Sequence, residues 1–328
     1  MPSITLQEAT DLVTGALTRC RTGAHNAAIV ARALVAAEAD GLKGHGLSRV
    51  PTYAAQARNG KVDGFAVPKT YKRRPGVAEI DAGHGFAFPA IEAAIEILPA
   101  LARDTGIAAA SVRRSHHCGA AGHPVERLAE AGLVALMVAN TPGAIAPWGG
   151  SQALFGTNPI AFACPLPGRA PIVIDLSLSK VARGNILAAK QKGETIPEGW
   201  ALDAAGRPTT DPDAALAGTM IPAGDIKGTA LALMVELLAG GLTGANFAAE
   251  ASSFLDAEGP PPGTGQLIIA LDPAAFAGDP VRFAVLAGAI EGQAGARVPG
   301  KRRLEARRRA AATGLTVGDA LLKEIAAL

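Results

Sequence analysis

The chain has 328 residues, of which 49% are hydrophobic and 18% are charged, and its formal net charge is +2. This length can bury a large core in one or two domains, and so small a net charge excludes a general field that would gather nucleic acid. The three cysteines form no CxxC pair, so neither a disulfide framework nor a zinc knuckle is indicated. No signal-type leader and no apolar run of about 18 residues occur, and we expect a cytoplasmic protein that does not span a membrane.

The first predicted elements are helices. Thr5 and Glu8 have the spacing of a capping box and begin a helix that runs to about Arg21. A second helix is predicted from residue 26 to residue 40, where Gly41 stops it.

The next stretch, residues 41–53, combines an imidazole, two cations and a phenol. His45 can give or take a proton near neutral pH. Arg49 can hold a carboxylate through two parallel hydrogen bonds, and Tyr53 can add another. If residues 48–53 turn helically, Arg49 and Tyr53 share one face and His45 lies one turn earlier. The alternative is a helix stop followed by a surface turn in which His45 and Arg49 are merely solvated.

From about residue 90, short apolar runs alternate with helical patterns. Such alternation indicates an α/β domain with a largely buried sheet. Between them, residues 196–222 are polar and rich in proline, and we expect a long ordered excursion there. Helix 227–242 is so apolar that it should pack against either a second subunit or the core of the monomer. Strands are predicted at 77–80, 106–112, 133–138, 160–164, 172–176 and 266–271, and helices at 93–104, 125–131, 180–191, 227–242, 280–294 and 316–327, the last with a capping-box-like pair, Thr316 and Asp319.

Nucleotide-binding and metal-binding motifs do not explain this pattern. No GxGxxG follows a strand and no GxxxxGK[ST] occurs, so neither a Rossmann domain nor a P-loop enzyme is indicated. His116, His117 and His123 have no carboxylate at helical spacing, and we expect no metal site.

Four junctions nevertheless collect polar side chains. Residues 115–123 follow a strand with three histidines, residues 155–159 offer a hydroxyl and an amide, residues 175–185 join a strand to a helix, and Lys227 opens the apolar helix. Ligands gather at strand ends in α/β sheets, and helix N-termini favour anions. Each junction alone is explained as well by a capped turn, and Cys118 alone by an apolar filler. Four in one chain favour a binding site.

Sequence motifs spread along the chain in a fixed order give a more specific indication. They are His45-Gly46-x-x-Arg49-x-Pro51-x-Tyr53, Ser115-x-His117-x-Gly119, residues 156–162, 181–184, 196–203 and 208–212, Lys227-Gly228 with residues 233–238, residues 242–244, and Pro299-Gly300. Together they resemble the malate/L-lactate dehydrogenase family of the non-Rossmann type. That family also contains sulfolactate dehydrogenase, ureidoglycolate dehydrogenase and Δ1-piperideine-2-carboxylate/Δ1-pyrroline-2-carboxylate reductase.

The resemblance implies an α/β fold in which a non-Rossmann, NAD(P)-binding mixed sheet is flanked by helices, with a helical part built from the N- and C-terminal segments. We therefore expect an N-terminal helical part with the catalytic stretch at 1–75 and an NAD(P)-binding domain at 76–275. C-terminal helices at 276–328 would return to the first part. Family members are homodimers with the site near the subunit interface, so a homodimer is expected.

The resemblance also implies an NAD(P)-dependent oxidoreductase that transfers a hydride between nicotinamide and a small 2-oxo or 2-hydroxy acid of the malate, lactate or sulfolactate kind. Carried over by position, His45 is the expected proton donor in reduction, Arg49 the carboxylate clamp, and His117 a third catalytic residue. Lys43, Arg49, Tyr53 and Thr157 would contact the substrate. The cofactor, NADP in preference to NAD, would contact His116, His117, Cys118, Gly119, Ala120, Asp175, Leu176, Ser177, Lys227, Pro299, Gly300, Lys301, Arg302 and Arg303.

Two departures from the family pattern bear on the substrate. The cyclic-imine reductases have a serine and an aspartate where this chain has Gly44 and Asn185, which disfavours the alternative of Δ1-pyrroline-2-carboxylate or Δ1-piperideine-2-carboxylate reduction. Residues 43–46 look instead like the sulfolactate dehydrogenase branch. A substrate with a second acidic group would need a second cation, for which Lys43, Lys180 and Lys227 are candidates.

Two further hypotheses concern the cations near the C-terminus and the class of protein. Lys301, Arg302 and Arg303 would hold the adenine-side phosphate, which favours NADP, whereas the alternative is a solvated helix start. Gly44 leaves open a non-catalytic binder of small acids or nucleotides that has kept the fold. The basic cluster at 301–309 lacks an aromatic stacking platform, so no nucleic-acid partner is expected.

Overall fold

The computed structural model describes residues 3–328. The helices are α1 (Leu6–Arg19), α2 (Ala24–Ala39), α3 (Val50–Arg58), α4 (Ala87–Thr105), α5 (Gly122–Glu130), α6 (Arg183–Lys192), α7 (Pro212–Ala217), α8 (Ile226–Glu236), α9 (Val281–Glu291), α10 (Lys301–Thr313) and α11 (Asp319–Ala327). The strands are β1 (Ser3–Ile4), β2 (Lys69–Arg74), β3 (Val77–Asp81), β4 (Ile107–Ser115), β5 (Val134–Ala139), β6 (Ile160–Leu166), β7 (Arg169–Leu176), β8 (Ala201–Leu202), β9 (Pro208–Thr209), β10 (Thr219–Met220), β11 (Thr264–Leu271) and β12 (Leu315–Thr316). Short 3₁₀ turns lie at Lys43–His45, Leu47–Arg49 and Pro273–Ala275, and a π-helical turn at Leu237–Gly241 extends α8.

The central element is a seven-stranded sheet with the strand order β2-β3-β4-β11-β5-β6-β7. Only β3 and β4 run parallel, and the other neighbouring strands in this sheet are antiparallel. The strand β11 comes late in the chain but lies between β4 and β5, so the sheet closes only when residues 264–271 have been inserted. A mixed sheet flanked by helices confirms the predicted fold class.

The register of these strands brings distant segments to one edge of the sheet. Ser115 pairs with Thr264, and Ile160 pairs both with Val138 and with Leu176. The ends of β4, β5 and β7 and the starts of β6 and β11 therefore lie side by side. We call this the site edge, because the segments 116–120, 157–158 and 175–177 all adjoin it.

Apolar residues cover both faces of the sheet and build a separate helical part. One face packs on α4 and α5 through residues such as Leu98 and Leu128, and the other packs towards α8 through Val235 and Leu267. A third cluster joins α1, α2 and α3 to the C-terminal segment, where Ile325 is fully buried. The strand β1 also pairs with β12. The domain boundaries near residues 75 and 275 stay a prediction.

Most predicted elements are present, with shifted ends. The capping box of α1 is confirmed, since the Glu8 amide donates to the Thr5 hydroxyl at 3.1 Å and Thr5 donates to Glu8 at 2.9 Å. The cap predicted at Thr316 and Asp319 is wrong, because Thr316 lies in β12 and the helix begins after Gly318. The excursion at 196–222 contains a small sheet of β8, β9 and β10. No helix among residues 3–328 is both long and apolar enough to cross a bilayer.

The helix α10 had no apolar signature, and ion pairs hold it in place. Arg303 donates to Asp40 at 2.8 Å and to Glu126 at 2.6 and 2.7 Å. Arg307 donates to Asp40 at 2.7 Å and to Glu126 at 2.8 Å, and His123 Nε2 lies 2.8 Å from Asp40. These five residues, which we call the ion cluster, join the end of α2 to α5 and α10.

The ion cluster sets the protonation of its carboxyls. Burial alone would raise the pKa of Asp40, but hydrogen bonds from His123, Arg307 and Arg303 outweigh it and hold the pKa well below its usual value. The pKa of Glu126 is lowered in the same way, by the two arginines against the effect of burial. Both carboxyls are therefore ionised at neutral pH.

Asp40→Asn should destabilise the protein. The substitution removes the ionised partner that Arg303 and Arg307 share, and it should lower the free energy of unfolding by about 3–5 kcal/mol at pH 7. Because the folded pKa is lowered, the wild type loses this stabilisation as the pH falls below 3.8, the usual value for the carboxyl. Urea denaturation at pH 7 and in acid measures both effects.

The matched control for this experiment is Asp104→Asn, since Asp104 is exposed near the end of α4. It should change the free energy of unfolding by less than about 0.5 kcal/mol. Equal losses in the two variants, or a difference between Asp40→Asn and wild type that does not narrow in acid, would contradict the role of the ion cluster.

Candidate active site

The catalytic stretch is shaped by Glu38, a buried residue near the end of α2. Its carboxylate accepts the Leu47 amide at 3.0 Å, and a Cβ placed on Gly46 would lie only 2.2 Å from it. Residue 46 must therefore be glycine for the chain to turn there. The two 3₁₀ turns and α3 then carry His45, Arg49 and Tyr53 to the site edge.

His45 and His117 stack in parallel. Their ring centroids are 5.3 Å apart and their planes differ by 4°. The Nδ1 atom of His45 is buried without a partner among residues 3–328, whereas Nδ1 of His117 meets the Tyr53 hydroxyl at 2.5 Å. Neither Nε2 atom is buried, and neither has a hydrogen-bond partner in the described part of the chain. Each of the two stacked imidazoles therefore keeps an Nε2 atom that is neither fully buried nor paired in the described part of the chain.

Arg49 lies beside this pair. Its Nε donates to the Gly44 carbonyl at 2.7 Å, while its terminal nitrogens have no partner among the described residues. Burial lowers the pKa of His45 to about 4, and the charge of Arg49 adds to the shift. Burial and nearby cations likewise lower the pKa of His117 well below its usual value. The site thus holds neutral imidazoles next to a guanidinium whose fork is open to a carboxylate.

Tyr53 is buried beneath the histidine pair. The side chain is 0% exposed, and Phe86, Phe88 and His116 surround the ring at centroid distances of 5.5, 6.3 and 5.6 Å. Its hydroxyl meets only His117 among the residues that the structure describes. A contact between Tyr53 and substrate stays a prediction, and in this structure the phenol contacts an imidazole.

Phe254 closes one side of the site, and sequence reasoning missed it. Its ring lies 5.0 Å from His116 and 5.2 Å from His117. Gln56 donates to the carbonyls of Phe254 and Asp256, and the buried ammonium of Lys61 pairs with Asp256 at 2.8 Å. An isolated aromatic residue in an irregular loop belongs to no periodic pattern or motif, so the sequence does not mark it as part of a site.

His116 itself is held away from open space. Both ring nitrogens are buried without a partner in residues 3–328, and burial, with Lys61 and Arg49 nearby, lowers the pKa to about 3. Its carbonyl accepts hydrogen bonds from Thr264 and Gln266 of β11. His116 therefore anchors the segment 116–120 to the sheet.

Thr157 reaches the site edge through a strained turn. Its amide donates to the Thr141 hydroxyl at 2.9 Å, and the next residue, Asn158, has a φ of +40°. The Asn158 side-chain amide donates to the buried carboxylate of Glu236 at 2.8 Å, and Asn140 donates to the same group at 2.9 Å. These bonds fix the hydroxyl of Thr157 beside the strand ends.

The segments predicted to hold the cofactor adjoin the same edge. Gly119 has a φ of +68°, and a Cβ there would lie 2.8 Å from Phe88, so only glycine fits. Asp175 accepts the Gly122 amide at 2.7 Å, and close packing around its carboxyl raises the pKa even though the residue as a whole is exposed. Burial raises the pKa of the Cys118 thiol to about 12, which keeps it protonated and unreactive. Leu176 is exposed, and Ser177 shares a hydrogen bond with Ser179 at 2.8 Å.

The predicted cations divide into two groups. Arg303 pairs with Asp40 and Glu126 in the ion cluster, and its contact with a cofactor phosphate stays a prediction. Lys43 donates to the Thr316 carbonyl at 3.1 Å and lies 3.6 Å from Glu38, while its side chain stays 66% exposed. Lys227 and Arg302 are exposed, without a salt bridge among residues 3–328.

Two cavities border predicted cofactor residues. Pro299 and Lys301 line a cavity of about 200 Å³ together with Arg308. Cys118 and Ala120 line another of about 300 Å³ between α2, α4 and α5. Within residues 3–328, no group of His, Cys, Asp and Glu side chains is arranged to hold a metal ion.

The arrangement can orient a small acid and exchange a proton with it. The structure brings together His45, Arg49 and His117, with Thr157 and Asp175 on the same edge of the sheet. It does not bring Lys43 or Arg303 into that group.

Comparison with known proteins gives similarity over almost the whole chain. Residues 4–326 match the family described as malate/L-lactate dehydrogenase. The (2R)-3-sulfolactate dehydrogenase (NADP(+)) of Chromohalobacter salexigens is 53% identical over 325 residues, covering 99% of this chain and 97% of that protein. A Δ1-pyrroline-2-carboxylate reductase of Ancylobacter novellus is 40% identical over 331 residues, covering 99% and 97%. The crystal structure of Δ1-piperideine-2-carboxylate reductase from Pseudomonas syringae covers 100% of this chain and 99% of that one, with a TM-score of 0.95 and 38% identity.

The protonation of His45 can be tested directly. In an NMR titration of the free protein, the pKa of His45 should be about 4. Arg49→Gln removes a neighbouring positive charge that opposes protonation, so the pKa should move up towards the usual 6.5. Arg309→Gln, an exposed cation of α10, is the control and should leave it unchanged. The same pKa in wild type and Arg49→Gln would contradict the electrostatic coupling.

Proposed function

Because the chain belongs to the malate/L-lactate dehydrogenase family, we propose that it is specific for a small 2-oxo or 2-hydroxy acid with a second acidic group, as in sulfolactate. It is an NAD(P)-dependent oxidoreductase of this family. The stacked imidazoles beside the unpaired end of Arg49 support a 2-oxo or 2-hydroxy acid, and the 53% identity to a sulfolactate dehydrogenase supports the second acidic group. Arg49 can orient an acid by its carboxylate, and the imidazoles can donate a hydrogen bond or a proton to the oxygen on the neighbouring carbon.

The residues present fit a nicotinamide dinucleotide. The left-handed turn at Gly119 and the small Ala120 leave room for close approach to the backbone. Lys301 and Arg302 are exposed cations at the start of α10, where a phosphate would also meet the helix N-terminus. We propose that residues 116–120, 175–177 and 299–302, with Lys227, hold the cofactor, which supplies or accepts the hydride when bound.

The side chains of this chain position the acid and move one proton. Arg49 holds the carboxylate, Thr157 and His117 contact the reacting end, and His45 exchanges the proton of the substrate oxygen. In the free protein His45 is neutral at pH 7, which suits proton acceptance from a hydroxy acid. A bound carboxylate offsets the charge of Arg49 and so raises the pKa of His45, which allows proton donation to an oxo acid.

Cyclic-imine reduction is the second candidate, and relatives named for it are 40% identical to this chain. A Cβ on Gly44 would meet nothing within 4 Å, and Asn185 is exposed, so both family side chains fit here. Gly44→Ser with Asn185→Asp should therefore fold and raise the rate with Δ1-pyrroline-2-carboxylate. No gain in that double variant would show that these two positions do not decide the chemistry.

Substrate preference tests the proposed function. With NADPH, kcat/KM should be roughly 10- to 100-fold higher for 3-sulfopyruvate or oxaloacetate than for pyruvate. A ratio of this size corresponds to the free energy of one additional charged hydrogen bond, made to the second acidic group. Turnover is followed by the loss of NADPH absorbance, with Δ1-pyrroline-2-carboxylate in the same panel. Faster turnover of the imine would favour the second candidate. Binding of NADPH without turnover of any of them would favour a non-catalytic binder.

The second cation can be located with three lysine variants. Lys180 and Lys227 are exposed and form no salt bridge among residues 3–328, whereas Lys43 is tied to Glu38 and Thr316. Lys180→Ala or Lys227→Ala should lower kcat/KM for 3-sulfopyruvate more than for pyruvate. Lys43→Ala is the matched control, and a selective loss there instead would restore its predicted role.

A preference for NADP should depend on the cations at the start of α10. Arg302→Ala and Lys301→Ala should each raise KM for NADPH by roughly tenfold, the worth of one charged hydrogen bond to a phosphate, and leave KM for NADH nearly unchanged. Arg309→Ala, on the same helix, is the control. An unchanged ratio of the two KM values in either variant would remove that residue from the site.

We further propose a homodimer that buries α8 and the turn after it. Seven large apolar side chains there are at least 40% exposed, and a concentration of exposed apolar side chains is typical of an interaction surface. They are Ile226, Leu231, Leu233, Met234, Leu237, Leu242 and Phe247.

We also propose that the chain divides into three parts, at residues 1–75, 76–275 and 276–328. We propose a cytoplasmic location as well, which the three unpaired cysteines support and which cell fractionation tests.

Sedimentation velocity tests the dimer. Leu233→Glu places a charge in the proposed interface and should halve the mass of the particle. Val67→Glu is the control, because Val67 is 77% exposed but lies outside this patch. A monomeric wild type, or a Leu233→Glu variant that remains dimeric, would contradict the proposal.

A further inference from the structure

The contact between Tyr53 and His117 has a role beyond packing. The Tyr53 hydroxyl lies 2.5 Å from Nδ1 of His117, inside a box of aromatic rings. A phenylalanine would fill the same box, so burial of the ring does not explain the hydroxyl. A buried polar group in such a place is retained for the partner that it meets.

The direction of this hydrogen bond follows from where hydrogens can be satisfied. Either Tyr53 donates to Nδ1, or Nδ1 carries a hydrogen and donates to the phenol oxygen. In the second case the phenol hydrogen would be buried without an acceptor, since the hydroxyl has no other partner in residues 3–328. In the first case no hydrogen is left unpaired inside the protein. Buried donors without partners are rarer than buried acceptors without partners, which favours donation by Tyr53.

If Tyr53 donates to Nδ1, the protonation of the other ring nitrogen of His117, Nε2, is fixed as well. A neutral imidazole with an acceptor at Nδ1 carries its hydrogen on Nε2. Nε2 of His117 is not fully buried, has no partner among residues 3–328, and belongs to a ring stacked on that of His45. The hydrogen on Nε2 is therefore left for a ligand that binds beside His45.

We propose that Tyr53 is a positioning residue: its hydroxyl donates to Nδ1 of His117 and fixes the Nε2–H form of that imidazole. His117 then offers a hydrogen-bond donor at the site, while His45 handles the proton. The division of labour rests on the proposed function, but the fixed form of His117 does not, because it is a property of the free protein.

The arrangement also keeps His117 from serving as a proton carrier. Burial, with Arg49, His45 and His116 nearby, lowers its pKa well below the usual value, and burial raises the pKa of Tyr53. Both groups therefore stay neutral across the neutral range. Lys61 and Arg49 are the charged groups around this box, and both oppose protonation of the histidines.

The first test is nitrogen NMR on the free wild-type protein labelled at histidine. The signal of His117, assigned by its loss in His117→Asn, should show a pyridine-type Nδ1 and a protonated Nε2. A protonated Nδ1, or a mixture of the two forms, would overturn the proposal. This measurement needs no folded variant of Tyr53 and no substrate.

The second test is Tyr53→Phe, with Tyr71→Phe as control because Tyr71 is the other tyrosine of the chain and lies on β2. Tyr53→Phe should give a mixture of His117 forms and lower kcat roughly 10- to 100-fold, the usual effect of removing a partner that orients a functional histidine. The affinity for NADPH, measured by fluorescence, should change less than threefold, roughly. An unchanged His117 signal in folded Tyr53→Phe would overturn the proposal. Absence of turnover in wild type would instead count against the proposed function alone.

Discussion

The ion cluster of Asp40, Glu126, His123, Arg303 and Arg307 is the interaction on which the site depends. It ties the end of α2 to α5 and α10, and α2 leads directly into the turns that carry His45 and Arg49. Together with the Tyr53–His117 and Gln56–Phe254 hydrogen bonds, it orients the helical part against the sheet, an orientation that apolar contacts alone would fix less well. Stacking of His45 on His117 joins a ring from the helical part to a ring from the site edge, so it requires that orientation.

Within this frame, one guanidinium and deep burial set the protonation of the site. Arg49 lies close enough to lower the pKa of three histidines, and each of those shifts is led by desolvation. Lys61 also opposes protonation of His116 but is paired with Asp256, so the result is a set of neutral imidazoles beside one guanidinium, that of Arg49, without a carboxylate partner among residues 3–328. A carboxylate that binds there changes the electrostatics of His45 by neutralising that cation, so substrate binding and proton exchange are linked.

Sequence patterns predicted the fold class and the stretch from His45 to Tyr53 because periodicity, glycine stops and residue chemistry are local signals. The polar junctions at strand ends favoured a binding site, but the roles of residues 116–120, 157 and 175–177 in it came from the family resemblance, since strand order depends on where β11 inserts. The contact of Tyr53 with His117 was not predicted, because the neighbour that its hydroxyl meets is 64 residues away. The helix α10 was missed because one buried residue, Ala310, leaves no apolar stripe to detect. Phe254 gave no sequence signal because it is a single aromatic residue in an irregular loop.

The most direct test uses NADPH that carries deuterium at both C4 positions of the nicotinamide and follows that deuterium during reduction of 3-sulfopyruvate. Mass spectrometry should find one deuterium at C2 of the product. His45→Gln should slow its formation by about 10²- to 10⁴-fold, the usual contribution of a general acid, without loss of NADPH binding. Product without deuterium at C2, or an unchanged rate in His45→Gln, would contradict hydride transfer with proton donation by His45.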